Sequence, residues 1–139
     1  MVALVLVSHS YALANAVMGL AKEVNPGIDV PIACAGGVGK DHEFLGTDAT
    51  EIMEAIKSVY SPDGVVVLMD LGSAVISTQL AIDMLGDNFP LVRICPAPLV
   101  EGAVSAAVQS ITGSPIDEVY DEAIQAIRAK QGLFSAYNS

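Results

Sequence analysis

The sequence is poor in basic residues. Six Lys and Arg stand against 16 Asp and Glu in 139 residues, so the formal net charge is −10. A protein that binds the phosphate backbone of nucleic acid needs a Lys/Arg surface, and an anionic membrane attracts the same kind of surface. The composition therefore argues against nucleic-acid and membrane partners. It favours high solubility and attraction to a basic partner protein.

Cysteine is scarce as well. Cys34 and Cys95 lie in apolar, strand-like segments, and neither has further metal-ligating residues at a suitable spacing. We therefore expect no zinc site and no other bound metal. We interpret both residues as buried thiols of a cytoplasmic protein, since the cytosol keeps thiols reduced.

Long apolar runs are also missing. No stretch reaches the roughly 20 apolar residues that a membrane-spanning helix needs. The N-terminal run, residues 2–7, is too short, lacks basic residues before it and has no convincing cleavage site. We interpret it as a strand and not as a signal peptide.

Apolar runs alternate with segments of helical periodicity along the chain. Residues 2–7, 30–35, 65–69 and 91–95 are the predicted strands, and helical segments follow them. Strands that are apolar throughout and alternate with helices form a parallel sheet covered on both faces. We predict one α/β domain over residues 1–132, with a doubly wound, mainly parallel four-stranded sheet of order 2-1-3-4. Residues 133–139 show no periodicity, and we expect this tail to fray.

Two local patterns make specific predictions about helices. In the first helix, Leu13, Val17, Leu20 and Val24 recur at spacings of three and four, which predicts one buried face. Residues 48–51, Asp-Ala-Thr-Glu, have the form of a capping box at the start of the second helix.

A histidine follows the first predicted strand and an aspartate follows the third. His9 stands between Ser8 and Ser10, where the strand gives way to the first helix, and Asp70 comes directly after the strand 65–69. In an open α/β sheet, ligands bind beyond the carboxyl ends of the strands, at the point where strand order reverses. With the order 2-1-3-4 that point lies between strands one and three. The sequence therefore predicts an imidazole and a carboxylate in the same crevice.

This pairing suits transfer of a phosphoryl group. A carboxylate that accepts a hydrogen bond from one ring nitrogen orients the imidazole and leaves the other nitrogen free to attack. The helix that begins after His9 disfavours the imidazolium and favours a bound anion. Ser10, Gly72 and Ser73 are positioned to donate hydrogen bonds to it. We predict a phosphohistidine carrier, with His9 as nucleophile and Asp70 as the orienting group.

Simpler interpretations remain open at this level. A histidine at a helix start is often a satisfied polar residue, and Asp70 could be only a helix N-cap. His42 lies in a polar loop, and we interpret it as a solvated residue.

Nucleotide-binding and acyl-transfer motifs are incomplete. The run Gly36-Gly37-Val38-Gly39-Lys40 is followed by Asp41 where a P-loop needs Ser or Thr, and Cys34 stands where it needs glycine. The glycine spacing also fails the dinucleotide fingerprint, and no nucleophile elbow surrounds the serines beside His9. We therefore expect no bound nucleotide and no other cofactor.

Four blocks of sequence carry a family resemblance. They are Leu6-Val7-Ser8-His9-Ser10, Gly46-Thr47-Asp48-Ala49, Met69-Asp70-Leu71-Gly72-Ser73-Ala74 and Ala97-Pro98-Leu99-Val100-Glu101-Gly102. In this order they resemble the DhaM family, the phosphotransferase subunits of phosphoenolpyruvate-dependent dihydroxyacetone (glycerone) kinase. The first domain of those subunits is similar to the mannose-type enzyme IIA of the sugar phosphotransferase system (PTS).

The resemblance implies a transfer chain between proteins. His9 would accept the phosphoryl group from the phosphocarrier protein HPr and pass it to ADP held by the nucleotide-binding kinase subunit. Asp70 would orient the imidazole, and Gly72 and Ser73 would lie near the phosphoryl group. Gly36, Gly37, Pro98, Leu99 and Val100 would rim the site, and the protein would be a homodimer that depends on separate carrier proteins.

Two other classes share part of this pattern. An enzyme IIA of a mannose-type permease would use the same chemistry but would hand the phosphoryl group to a IIB protein. A receiver domain would be phosphorylated on Asp70 with Mg²⁺, but it needs a pair of acidic residues after strand one, where this chain has Ser8-His9-Ser10.

Overall fold

The computed structural model describes residues 1–138 and shows strands and helices in alternation. The four strands are β1 (Ala3–Ser8), β2 (Ile32–Gly36), β3 (Val65–Met69) and β4 (Val92–Ile94). The helices are α1 (Tyr11–Glu23), α2 (Ala49–Val59), α3 (Ala74–Leu85), α4 (Leu99–Ile111), α5 (Ile116–Gln125) and α6 (Ile127–Asn138), with a 3-10 turn at Gly86–Asn88. No helix within residues 1–138 has the length and apolarity that a membrane crossing requires.

The strands form one sheet of order β2-β1-β3-β4, and every strand pair is parallel. This is the predicted fold class and the predicted strand order. The central strands β1 and β3 are buried along their whole length because helices cover both faces. Their carboxyl ends, which lead into His9 and Asp70, lie side by side at one edge.

Two separate cores lie on the two faces of the sheet. One contains Leu4, Leu6 and Leu68 with side chains of α1, α4 and α5. The other contains Val5, Val67 and Ile52 with side chains of α2 and α3. Successive strand residues point to opposite faces, which is why neighbours in β1 belong to different cores.

The buried face of α1 differs from the predicted one. Ala14, Val17 and Ala21 are buried, whereas Leu13, Leu20 and Val24 are exposed. Small residues on the inner face let α1 lie close to its neighbours, and these contacts outweigh the preference of the larger leucines for burial. The predicted face was wrong except at Val17.

The C-terminal tail is helical as far as the structure describes it. Residues 133–138 continue α6, although this helix buries none of its side chains. Lys130 of α6 forms an ion pair with Glu101 of α4, with 2.6 Å between Nζ and Oε1. Fraying of this tail stays a prediction, which the absence of buried side chains supports, and residue 139 lies outside the described residues.

The two cysteines are free thiols, but only Cys95 is buried and Cys34 is half-buried. Burial raises the pKa of Cys34 to about 11, although the positive charge of Lys22 acts to lower it. The thiol therefore stays protonated at neutral pH.

Candidate functional site

The ends of β1 and β3 bring His9 and Asp70 into direct contact. His9 Nδ1 lies 3.1 Å from Asp70 Oδ1, and the backbone N–H of His9 donates to Asp70 Oδ2 over 3.0 Å. The parallel pairing of β1 with β3 ends at Val7 and Met69, so the next residues of both strands emerge together. The crevice predicted from the strand order is therefore present.

Asp70 accepts hydrogen bonds from three residues. Besides His9, the hydroxyl of Ser8 donates to Oδ2 over 2.9 Å, and the backbone N–H of Leu71 donates to Oδ1 over 2.7 Å. Burial raises the pKa of Asp70, but these hydrogen bonds outweigh it and hold the pKa below its ordinary value. The group is a carboxylate at neutral pH, and its oxygens are engaged in orienting the residues around His9.

The other ring nitrogen of His9 faces the start of α3. His9 Nε2 lies 2.9 Å from Ser73 Oγ, and Ser73 occupies the N-cap position of that helix without a side-chain cap bond of its own. Because the Asp70 carboxylate can only accept, Nδ1 carries a hydrogen, and in the neutral ring this leaves the Nε2 lone pair for Ser73 or for an incoming phosphorus. Asp70 is not the N-cap residue of α3, so the simpler interpretation of it is wrong.

Two helix N-termini meet at His9. Ser10 caps α1, and its Oγ accepts the N–H of Leu13 over 3.2 Å, which leaves the hydroxyl hydrogen as a donor. Gly72 is exposed and lies directly before Ser73. The ends of α1 and α3 add positive potential at the position where an anion on Nε2 would lie.

The predicted rim residues lie in three different surroundings. Pro98 lines a cleft of about 650 Å³ together with Asp70 and Gly72, between the ends of β3 and β4. Leu99 is only 7% exposed and packs in the core, which corrects its assignment to the rim. Gly36 is buried at the end of β2, and Gly37 follows it with a positive φ of 70°.

The sequence analysis did not predict the contacts that His42 and Glu51 make beside the site. The side chain of His42 is 34% exposed and lies 3.6 Å from Glu51, so the interpretation as a solvated residue is wrong. Asp48 caps α2 as predicted, with Oδ1 accepting from Thr50 N–H over 2.9 Å. Glu51 does not complete the capping box, because its carboxylate instead accepts from the N–H of Gly36 over 3.3 Å.

No cluster of three or more His, Cys, Asp and Glu residues within 1–138 is arranged to hold a metal ion.

A family model matches most of the chain. The model, described as the PTS system fructose IIA component (EIIA-man), covers residues 3–124. The chain belongs to this enzyme IIA family.

Curated relatives agree with the family. The chain is 44% identical over 132 residues to the PEP-dependent dihydroxyacetone kinase phosphoryl donor subunit DhaM of Pantoea ananatis, which covers 94% of this chain and 28% of that protein. It is 33% identical over 123 residues to the corresponding subunit of dihydroxyacetone kinase 2 of Listeria innocua, covering 88% of this chain and 96% of that protein. The DhaM resemblance is confirmed, although the chain spans little more than a quarter of the first relative's length.

Solved structures agree with the fold. The protein EF1359, of unknown function, superposes with a TM-score of 0.78 at 31% identity, covering 89% of this chain and 93% of that one. The mannose/sorbose-specific IIA subunit of the phosphotransferase system from Enterococcus faecalis has a TM-score of 0.60 at 17% identity, covering 92% and 90%. At this identity the second similarity shows the enzyme IIA fold alone.

Proposed function

We propose that this enzyme IIA domain is a phosphohistidine carrier of a dihydroxyacetone kinase system, with Nε2 of His9 as the phosphorylated atom. The observation that carries the proposal is that the two ring nitrogens of His9 have different partners. Nδ1 is engaged by Asp70 at 3.1 Å, while Nε2 faces Ser73 at 2.9 Å. The names of the DhaM relatives support the kinase system.

The proposed chemistry consists of two displacements at phosphorus. The Nε2 lone pair attacks the phosphoryl group of phospho-HPr, so a new N–P bond forms while the N–P bond in HPr breaks. Asp70 stabilises the positive charge that develops on the ring by accepting from Nδ1–H. A terminal oxygen of ADP on the kinase subunit then attacks the same phosphorus, and the His9 N–P bond breaks to give ATP.

Ser73 and the helix N-termini would hold the phosphoryl oxygens. In the unmodified site the Ser73 hydroxyl donates to Nε2, and after phosphorylation it would donate to an oxygen of the group. The backbone N–H of Gly72 before α3 and the hydroxyl hydrogen of Ser10 would supply further donors, whereas the backbone N–H of Ser10 already donates to Ser8 Oγ. We propose that this transfer requires no metal or nucleotide on the chain itself.

The decisive experiment follows the phosphoryl group. Incubation with radiolabelled phosphoenolpyruvate, enzyme I and HPr should give an acid-labile, alkali-stable phosphoprotein, and His9→Ala should remain unlabelled. A His9→Ala variant that labels as well as the wild type would overturn the proposal. Labelling from purified phospho-HPr in the presence of EDTA should match labelling without it.

The acceptor separates the kinase from the permease. The labelled chain should form ATP with an ADP-loaded kinase subunit and should not label a mannose-type IIB protein. Transfer to the IIB protein alone would instead assign the chain to a permease. Aspartyl phosphorylation is unfavourable because both Asp70 oxygens already accept hydrogen bonds.

We also propose that the chain is a homodimer in the cytoplasm, and α3 supports a self-interface. Ile76, Leu80 and Met84 form a stripe on its outer side, with Ile76 77% and Leu80 52% exposed. A helix that is apolar on both faces is normally buried on both. Asp83 is the single charged residue of α3, so antiparallel packing of two copies of the helix places like charges at opposite ends.

A further inference from the structure

His42 has contacts that a solvated loop residue would lack. Its ring stacks on Tyr11, the first residue of α1, with 4.3 Å between ring centroids and 14° between planes. Its Nδ1 lies 2.9 Å from the carbonyl oxygen of Gly36, the last residue of β2. The backbone of His42 has a positive φ of 57°, which is unusual for a non-glycine residue.

Glu51 holds the same segment from α2. One carboxylate oxygen accepts from the N–H of Gly36 over 3.3 Å, and the other lies 3.6 Å from His42 Nδ1. The amide N–H and the carbonyl of Gly36 are therefore both engaged by side chains. This double contact explains why Glu51 does not turn back to complete its capping box.

These contacts converge on the backbone around His9. Gly36 lies so close to β1 that a Cβ atom added to it would be 2.4 Å from the carbonyl oxygen of Ser8. The far end of the same loop returns to the site, where the N–H of Gly46 donates to the carbonyl of His9 over 2.9 Å. Tyr11, two residues after His9, is covered by the His42 ring.

We propose that Tyr11, His42 and Glu51 form a clamp that positions residues 8–11 from the β2 side of β1. Asp70 holds the same residues from the β3 side, so His9 is fixed between two supports. The clamp touches no reacting atom and acts through the backbone of His9, which makes His42 a positioning residue. This inference rests on the proposed function, since its kinetic consequence is the rate of phosphoryl transfer through His9.

The clamp predicts a specific kinetic effect. Loss of one of two supports should slow the transfer step about tenfold, since a displacement of about 1 Å at a reacting group can cost 10²-fold. The concentration of phospho-HPr that gives half-maximal rate should stay unchanged, because the clamp acts through the backbone of His9 and not by binding the donor protein. A loop whose role is to contact HPr would instead change that concentration.

Two substitutions separate the side chain from the backbone conformation. His42→Gly removes the ring and accepts a positive φ, whereas His42→Asn also accepts it and keeps an N–H that can reach Gly36. We expect His42→Gly to slow single-turnover labelling of His9 about tenfold and His42→Asn to recover most of that rate. Lys40→Ala, an exposed position in the same loop, is the matched control and should behave as the wild type.

A second measurement does not depend on phosphoryl transfer. The Gly46 amide should exchange with solvent faster in His42→Gly, and the ¹⁵N signals of the His9 ring should shift while those of distant residues do not. Wild-type transfer rates in His42→Gly despite faster Gly46 exchange would overturn the inference, as would a change confined to the half-maximal concentration. If the wild type itself is not labelled on His9, the proposed function fails. Unchanged His9 ring signals in His42→Gly would overturn the clamp whether or not His9 is phosphorylated.

Discussion

At the scale of single residues, the site depends on the two nitrogens of one imidazole. Asp70 engages Nδ1 and Ser73 lies at Nε2, so the ring is oriented from both sides. The positions of His9 and Asp70 after the first and third apolar strands, together with the predicted strand order 2-1-3-4, made their meeting predictable. The choice of nitrogen was not predictable, because it depends on the rotation of the ring between β3 and the start of α3.

Replacement of Asp70 tests whether orientation of the ring matters for transfer. Asp70→Ala should lower the rate constant for phosphorylation of His9 by about 10²–10⁴-fold, the usual range for a group that assists through a proton or its orientation. The free energy of unfolding should fall by only about 1–3 kcal/mol, from donors left without an acceptor. Rapid-quench labelling and urea unfolding measure the two effects. A rate loss below tenfold would mean that Asp70 mainly organises the loop.

The pH dependence of stability tests the charge of Asp70. Its folded pKa is lowered, so its contribution to stability is present above the unfolded pKa of about 3.9 and is lost as pH falls through the folded pKa. The difference in unfolding free energy between wild type and Asp70→Asn should therefore be constant from about pH 7 to pH 5 and should shrink below about pH 4. Urea titrations at a series of pH values measure it. A constant difference down to pH 3 would contradict the carboxylate's role.

At the scale of elements, neighbours decide which face of a helix is buried. Leu20 of α1 is 45% exposed and the adjacent Ala21 is fully buried, although periodicity alone favoured the leucine. The start of α2 shows the same effect, because Glu51 bonds to β2 and not to its own helix end. Local patterns predicted that these helices exist and where they begin. Their side-chain partners belong to other elements.

The observed buried face of α1 leads to two matched predictions about stability. Ala21→Leu should destabilise the domain by about 1–3 kcal/mol, because a larger side chain does not fit the packed interior. Leu20→Ala should change the free energy of unfolding by no more than about 0.5 kcal/mol, as at other surface positions. Urea unfolding of both variants distinguishes the faces. The reverse order of effects would restore the face predicted from periodicity.

At the scale of the whole molecule, the sheet order creates the site and leaves one apolar surface uncovered. The order β2-β1-β3-β4 places the His42 clamp and Asp70 on opposite sides of β1, the strand that leads into His9. The net charge of −10 acts over the same scale and favours a partner with basic groups. The outer stripe of α3, by contrast, consists of the apolar residues Ile76, Leu80 and Met84, and this surface suits a second copy of the chain.

Charge introduced on α3 tests the homodimer. Sedimentation equilibrium should give a dimer for the wild type, and Leu80→Lys should give a monomer, because Leu80 lies at the middle of the stripe, where antiparallel packing would bring the two introduced ammonium groups together. Glu54→Lys on the exposed side of α2 introduces a larger charge change outside the stripe, and this variant should remain a dimer. A dimer in both variants would exclude α3 as the interface.

The sequence by itself determined the α/β class, the approximate strands and helices, the family and the two central residues of the site. These features depend on local periodicity and on residues at strand ends, which each segment carries independently. Only the tertiary structure decided that Nε2 of His9 faces α3, that Glu51 and His42 engage Gly36, that Leu99 is buried and that residues 133–138 are helical. Each of these depends on contacts between segments far apart in the chain or on a continuous helix without an apolar face, and neither leaves a periodic signal in the sequence.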